Sequence, residues 1–112
     1  MDSTRQEKIK ELLKRELSLI FQQKGRSLFG PELISITEVR ISPDLSIARV
    51  YLSIFPTENK KTIMEAVDER NAQLRYELGN RVRNQLRIIP ELHFYLDDTF
   101  DQMDRINELL KK

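Results

Sequence analysis

Histidine occurs once, at His93, and two carboxylates, Asp97 and Asp98, follow it closely. A histidine near acids is raw material for a metal site or a proton relay, but one imidazole with two acids is too few for a metal cage. A triad of His93, Asp97 and a serine lacks the Gly-x-Ser-x-Gly elbow that would present the hydroxyl. His93 is therefore read as a surface residue of a strand. Asp97, Asp98, Asp101 and Asp104 lack the glycine and terminal glutamate of a calcium loop, and they read as a solvated acidic rim. Glycine stands only at 25, 30 and 79, so there is no phosphate-cradling loop. Cysteine is absent, which removes disulfides, thiolate nucleophiles and cysteine metal sites together. The expectation is a protein that is not an enzyme, with no metal, no cofactor and no small-molecule substrate.

The residues left to do chemistry are basic. The 112 residues carry a net charge of only +1, but unevenly. Residues 1–30 are net +3 and include Lys8, Lys14, Arg15, Lys24 and Arg26. Residues 63–69 are net −3, and residues 70–90 are net +4 through Arg70, Arg75, Arg81, Arg83 and Arg87 against Glu77 alone. Residues 91–112 return to −3. Arginine offers a planar fork of donors that suits phosphate and stacks on bases. Charge blocks by themselves favour the plainer reading of solvated helix faces. The distribution adds a distinction, since Glu65, Asp68, Glu69 and Glu77 can occupy Arg70 and Arg81, whereas Glu77 is the lone acid beside the later arginines. The excess at 81–87 is thus the better signal for a polyanion. Obvious base-stacking aromatics are missing: Tyr51 and Tyr95 fall on strand faces and Tyr76 stands isolated on a helix.

The elements that must position these residues follow from periodicity. Residues 4–24 read as an amphipathic helix, with Ile9, Leu12, Leu13, Leu17, Ile20 and Phe21 on one face. Ser3 with Gln6, or Thr4 with Glu7, fits a capping box, and Gly25 is expected as the left-handed stop, followed by a loop over 25–32. Residues 33–42 and 47–55 read as an antiparallel hairpin. The second strand alternates cleanly, whereas the first has Ile34 and Ile36 out of phase with Val39 and Ile41, as a bulge would produce. Ser42-Pro43-Asp44-Leu45-Ser46 is turn chemistry, because proline presets φ and Asp bonds its own backbone. Residues 60–87 return to helical spacing, with Val67, Leu74, Leu78, Val82 and Leu86 on a stripe interrupted by Asn71. An amide there, and Gly79 farther on, predict a helix broken near Asn71 and ended by Pro90. Leu92, Phe94 and Leu96 mark a third strand over 91–97, and residues 99–110 a short C-terminal helix or tail.

Helix, strand, strand, broken helix, strand is the order of an α+β domain, one sheet with helices on one face, spanning residues 1–112. The third strand arrives through a helical crossover and is expected to lie parallel to one of the first two. No apolar run approaches the ~20 residues of a membrane span, and the charged N-terminus has no apolar signal-peptide core. A cytoplasmic location with no membrane partner is expected.

Two stretches carry a family resemblance. Val39-Arg40-Ile41-Ser42-Pro43-Asp44-Leu45-Ser46-Ile47-Ala48-Arg49-Val50-Tyr51-Leu52-Ser53 resembles the hairpin signature of ribosome-binding factor A. Leu86-Arg87-Ile88-Ile89-Pro90-Glu91-Leu92-His93-Phe94-Tyr95-Leu96-Asp97-Asp98 is similar to that family's Leu-Arg-x-x-Pro-Glu-Leu-x-Phe-x-x-Asp run. The opening helix and Asp104-Arg105-Ile106-Asn107-Glu108-Leu109-Leu110 match in type and position, so the resemblance covers about residues 3–110. It implies a KH-like fold of the second type and binding to the 30S ribosomal subunit and its 16S rRNA near the decoding region. It also implies a role in late subunit maturation and rRNA processing that matters most in the cold, performed as a monomer off the ribosome. Ordinary KH modules clamp nucleic acid with a Gly-x-x-Gly loop; this family is expected to substitute a helix–kink–helix built on Ala-x-Gly. Here Arg70-Asn71-Ala72 stands there, keeping neither the Ala nor the Gly in place. The expected RNA-binding set is Arg70, Arg75, Arg81, Arg83 and Arg87, with Lys8, Lys14, Arg15, Lys24 and Arg26. A competing reading is a KH-like adaptor that docks on a protein through its open sheet face.

Overall fold

The computed structural model describes residues 4–31, 33–55 and 57–97. Its elements are α1 (Thr4–Phe29), β1 (Leu33–Ile41), β2 (Ile47–Phe55), a single 3-10 turn (Thr57–Asn59), α2 (Lys60–Glu69), α3 (Asn71–Val82) and β3 (Glu91–Leu96). The sheet order is β1-β2-β3, with β2 antiparallel to β1 and parallel to β3. This is the α+β arrangement expected from the order of elements, and the KH-like topology that the family resemblance implies. The C-terminal helix expected over 99–110 lies outside the described residues.

The first helix does not stop at Gly25. It runs on to Phe29, with Gly25 buried inside it. The apolar stripe explains the extension: Phe29 is buried and its ring lies 5.7 Å from that of Phe21. Burying a phenylalanine is worth ~1.5–3 kcal/mol, more than the ~1 kcal/mol that an interior glycine costs. The stop is Gly30, at φ 98°, whose N–H donates to the Arg26 carbonyl at 3.1 Å in the left-handed cap pattern. The expected loop over 25–32 shrinks accordingly.

In the hairpin, Ile36 pairs with Leu52 and Glu38 with Tyr51, so Thr37 is the extra residue of a bulge. A one-residue slip exchanges the faces of a strand. It lets Ile36 and Val39 both be buried, with Ile34 and Ile41 packed beside them. At the turn, Asp44 Oδ1 accepts from Ser42 Oγ (2.8 Å), Ser46 Oγ (2.7 Å) and Ser46 N–H (3.1 Å), while Leu45 takes φ 65°. Donors from Ser46 and then Ser42 hold the Asp44 carboxyl below its ordinary range.

Among the described residues, helices cover one face of the sheet. Ala48, Val50, Leu52 and Ile54 of β2 are buried against them with Leu92 and Phe94 of β3, while Arg49, Tyr51 and Ser53 alternate to the other face. Leu13, Leu17 and Ile20 of α1 and Leu74, Leu78 and Val82 of α3 complete the core.

Candidate nucleic-acid interface

The break between α2 and α3 falls at Arg70, one residue before the position expected from the stripe. Arg70 has φ −97° and ψ 11°, and its N–H is shared between the carbonyls of Ala66 and Val67, each at 3.1 Å. Its carbonyl then accepts from Leu74 N–H at 2.9 Å and opens the next helix. Asn71 supplies the reason for an amide on an apolar stripe. Its Nδ2 donates to the Leu92 carbonyl at 2.8 Å. β3 is an edge strand, and the amides of Glu91 and Asp97 bond toward β2. By the period of two, Leu92 points its backbone groups to the open edge, where Asn71 caps them. The Arg70 side chain is exposed, with Nη1 on Gln73 Oε1 at 3.2 Å.

α3 ends at Val82, not at 87. The amides of Gln85 and Leu86 both converge on the Val82 carbonyl, at 2.8 and 2.9 Å, and the chain then turns back to enter β3. Arg83 and Arg87 therefore stand on a connecting segment and not along a helix flank; both are exposed. Arg75 holds that segment: its Nε donates to the Pro90 carbonyl (3.1 Å) and its Nη2 to the Ile89 carbonyl (2.7 Å). Gly79 is no breaker. Ile89 packs over it, and a Cβ there would meet Ile89 Cγ1 at 3.4 Å, an ordinary contact.

Two of the expected basic residues join α1 to α3. Lys24 forms an ion pair with Glu77, and Arg81 Nη2 donates to Gln23 Oε1 at 2.5 Å. Glu77 thus serves Lys24 and not the arginines after it, and its Oε2 is buried with no partner among the described residues. On α1, Lys8, Arg15 and Arg26 are exposed. At 100° per residue they fall within about 20° of one another, on a ridge ~27 Å long facing away from Leu13 and Leu17. Arg15 lies 3.8 Å from Glu16. Lys14 is half-buried at the side of this ridge. Among the described residues, the side chains of Lys8, Lys14, Arg26, Arg83 and Arg87 make no hydrogen bond or ion pair with protein groups.

The open face of the sheet carries an arrangement that sequence alone did not reveal. Tyr51 and Tyr95 are register partners and stack at 5.4 Å and 27°, and the Arg40 guanidinium lies 5.4 Å from the Tyr51 ring centre. Glu38 bonds Arg40 from its own strand and raises the arginine pKa. Strand alternation placed both tyrosines on this face, but pairing them needs the β2–β3 register, which depends on the crossover. His93 lies on the same face, 3.8 Å from Glu91, and Asp97 Oδ2 accepts from Thr37 Oγ1 at 2.6 Å. Among the described residues, no three His, Cys, Asp or Glu side chains gather to hold a metal.

With this geometry in place, likeness to known proteins is informative. The model of the family described as ribosome-binding factor A matches residues 5–110. Ribosome-binding factor A of Cytophaga hutchinsonii is 46% identical over 112 residues, covering 100% of this chain and 84% of that protein. That of Chlorobaculum tepidum is 47% identical over 111 residues, covering 97% and 90%. The crystal structure of ribosome-binding factor A from Thermus thermophilus superposes with a TM-score of 0.68 at 26% identity, over 81% of this chain and 94% of that one. A homology model of the Thermus thermophilus protein, as fitted into a cryo-electron-microscopy map of its complex with 30S, gives 0.62 at 28% identity, over 79% and 90%. The family model spans nearly the whole chain and relatives of that family are 46–47% identical over it, and this chain belongs to the ribosome-binding factor A family.

Proposed function

We propose that this chain is a cytoplasmic assembly factor that binds the 30S subunit and its 16S rRNA and promotes late maturation of that subunit and processing of the rRNA, with its greatest demand in the cold. It does so by binding as a monomer, without catalysing a reaction. The observation that carries the reading is the basic surface of the helical layer. Arg83 and Arg87 extend past α3 with no acid to neutralise them among the described residues, and Lys8, Arg15 and Arg26 line the outer ridge of α1. A fixed field of this kind suits a phosphate backbone. Lys24, Arg75 and Arg81 serve chiefly to hold the helices and the connecting segment in place.

The test is co-sedimentation with immature and mature 30S particles over a range of salt. Replacing Arg83 and Arg87 by Ala should leave the fold intact, since exposed substitutions usually shift stability by less than ~0.5 kcal/mol. Binding should weaken roughly tenfold, and the log–log salt slope should flatten by roughly 0.7–0.9 per lost phosphate contact. A folded double variant with wild-type affinity and slope would reject this surface. The adaptor reading draws on the uncovered sheet, where Leu33 and Phe55 are exposed opposite one another. Docking of that kind releases few counterions, so it would show as binding with little salt dependence.

A further inference from the structure

Tyr76 projects from α3 with 71% of its surface exposed, which is unusual for an aromatic residue on a helix that also builds the core. Ala72, Asn80 and Arg83 follow the helical spacing that places them on the same ridge. With Arg75, Gly79 and Ile89 they line a groove of about 510 Å³ between α3 and the segment leading to β3, within the range that ligand clefts take. Its apolar floor is Ile89 on Gly79. Its far wall is held by the two Arg75 bonds to the Ile89 and Pro90 carbonyls, so little ordering remains for a ligand to impose. No acid among the described residues lines it, and the α3 acid, Glu77, is engaged with Lys24.

We propose that this groove seats one unstacked nucleobase of single-stranded RNA, with Tyr76 as the stacking surface, Asn80 as the reader of the base edge and Arg83 as the contact to the adjoining phosphate. The lining matches that ligand part by part. An aromatic face takes a base face, a carboxamide offers both donor and acceptor to a base edge, and a guanidinium takes phosphate. The Arg83 guanidinium, without an opposing carboxylate among the described residues, favours a phosphodiester over a neutral apolar peptide, for which the aliphatic floor alone would suffice. The proposal rests on the reading that the chain binds ribosomal RNA, and narrows it to unpaired nucleotides.

Stacking and charge contacts separate by salt and by base. The probes are a single-stranded oligoadenylate of about twelve nucleotides, a length in the range of single-strand sites, an abasic oligomer with the same number of phosphates, and immature 30S particles. Tyr76→Ala is expected to weaken oligoadenylate and 30S binding roughly tenfold, with the salt slope unchanged and abasic binding unchanged. Tyr76→Phe should bind as the parent protein does. Arg83→Ala should flatten the slope on every probe. Thermal unfolding establishes that each variant is folded. The inference is overturned if Tyr76→Ala leaves oligoadenylate binding intact, or weakens both oligomers equally. It is also overturned if Tyr76→Ala weakens 30S binding alone, which would make the groove a protein contact. No binding of either oligomer by the parent protein overturns the inference too, whereas 30S binding indifferent to both salt and Arg83→Ala would count against the RNA reading itself.

Discussion

At the scale of single residues, Asn71 shows how a local anomaly in sequence becomes a tertiary bond. By spacing alone the position asks for leucine, and the amide signalled irregularity without naming its partner, which lies 21 positions away at the Leu92 carbonyl. Asn71→Leu should therefore destabilise the protein by about 1 kcal/mol despite adding apolar surface, because an edge carbonyl loses its donor. Equilibrium urea unfolding would show the midpoint falling with the slope unchanged. Asp44 was legible as a turn residue from its neighbours, and its three donors make a second prediction. A carboxyl held below its ordinary pKa stabilises the fold fully above the unfolded-state value, near 3.9, and that stabilisation is lost as pH falls through the lower folded value. Carboxyl NMR should find Asp44 titrating below the ordinary aspartate value, and Ser46→Ala should move it back toward that value.

At the scale of elements, strands were easier to read than helix ends. The hairpin, its bulge and its turn are written in short-range alternation, so their bounds fell within a residue of the structure. Helix ends depend on what the next segment must reach. Gly25 looked like a stop because local propensity says so, but Phe29 needed the core, and Gly30 met the conformational requirement instead. Gly25 is thus tolerated within the helix. A Cβ placed on it meets no atom within 4 Å, so Gly25→Ala should raise stability by ~0.5–1 kcal/mol, measured by thermal or urea unfolding. The end of α3 erred the other way. Leu86 continues the stripe, but the chain has to reverse to lay β3 beside β2, and that demand is invisible to a periodicity count. The error carried over to the site, since Arg83 and Arg87 were read as helix residues when they lie on the return segment.

At the scale of the whole molecule, the fold makes two unlike surfaces. The helical side presents Lys8, Arg26, Arg83 and Arg87 without an ion pair among the described residues, and Arg15 near Glu16 alone. The sheet side presents Arg40 paired with Glu38 and lying by the Tyr51 ring, with Arg49 exposed beside it. The basic residues could be chosen from sequence, but which of them the protein itself uses could not, because Lys24 and Glu77 are 53 positions apart and meet only when α1 and α3 pack. The two surfaces make opposite demands on ionic strength. Each phosphate neutralised on the helical side releases counterions, while arginines already balanced by nearby carboxylates release fewer. Replacing Lys8, Arg15 and Arg26 by Ala should then flatten the salt slope of 30S binding by up to roughly 0.7–0.9 per residue that meets a phosphate. Replacing Arg40, which Glu38 already balances, should leave the slope unchanged within error. The reverse pattern, a slope carried by Arg40 and indifferent to the α1 ridge, would place the RNA against the tyrosine face and turn the molecule over on the ribosome.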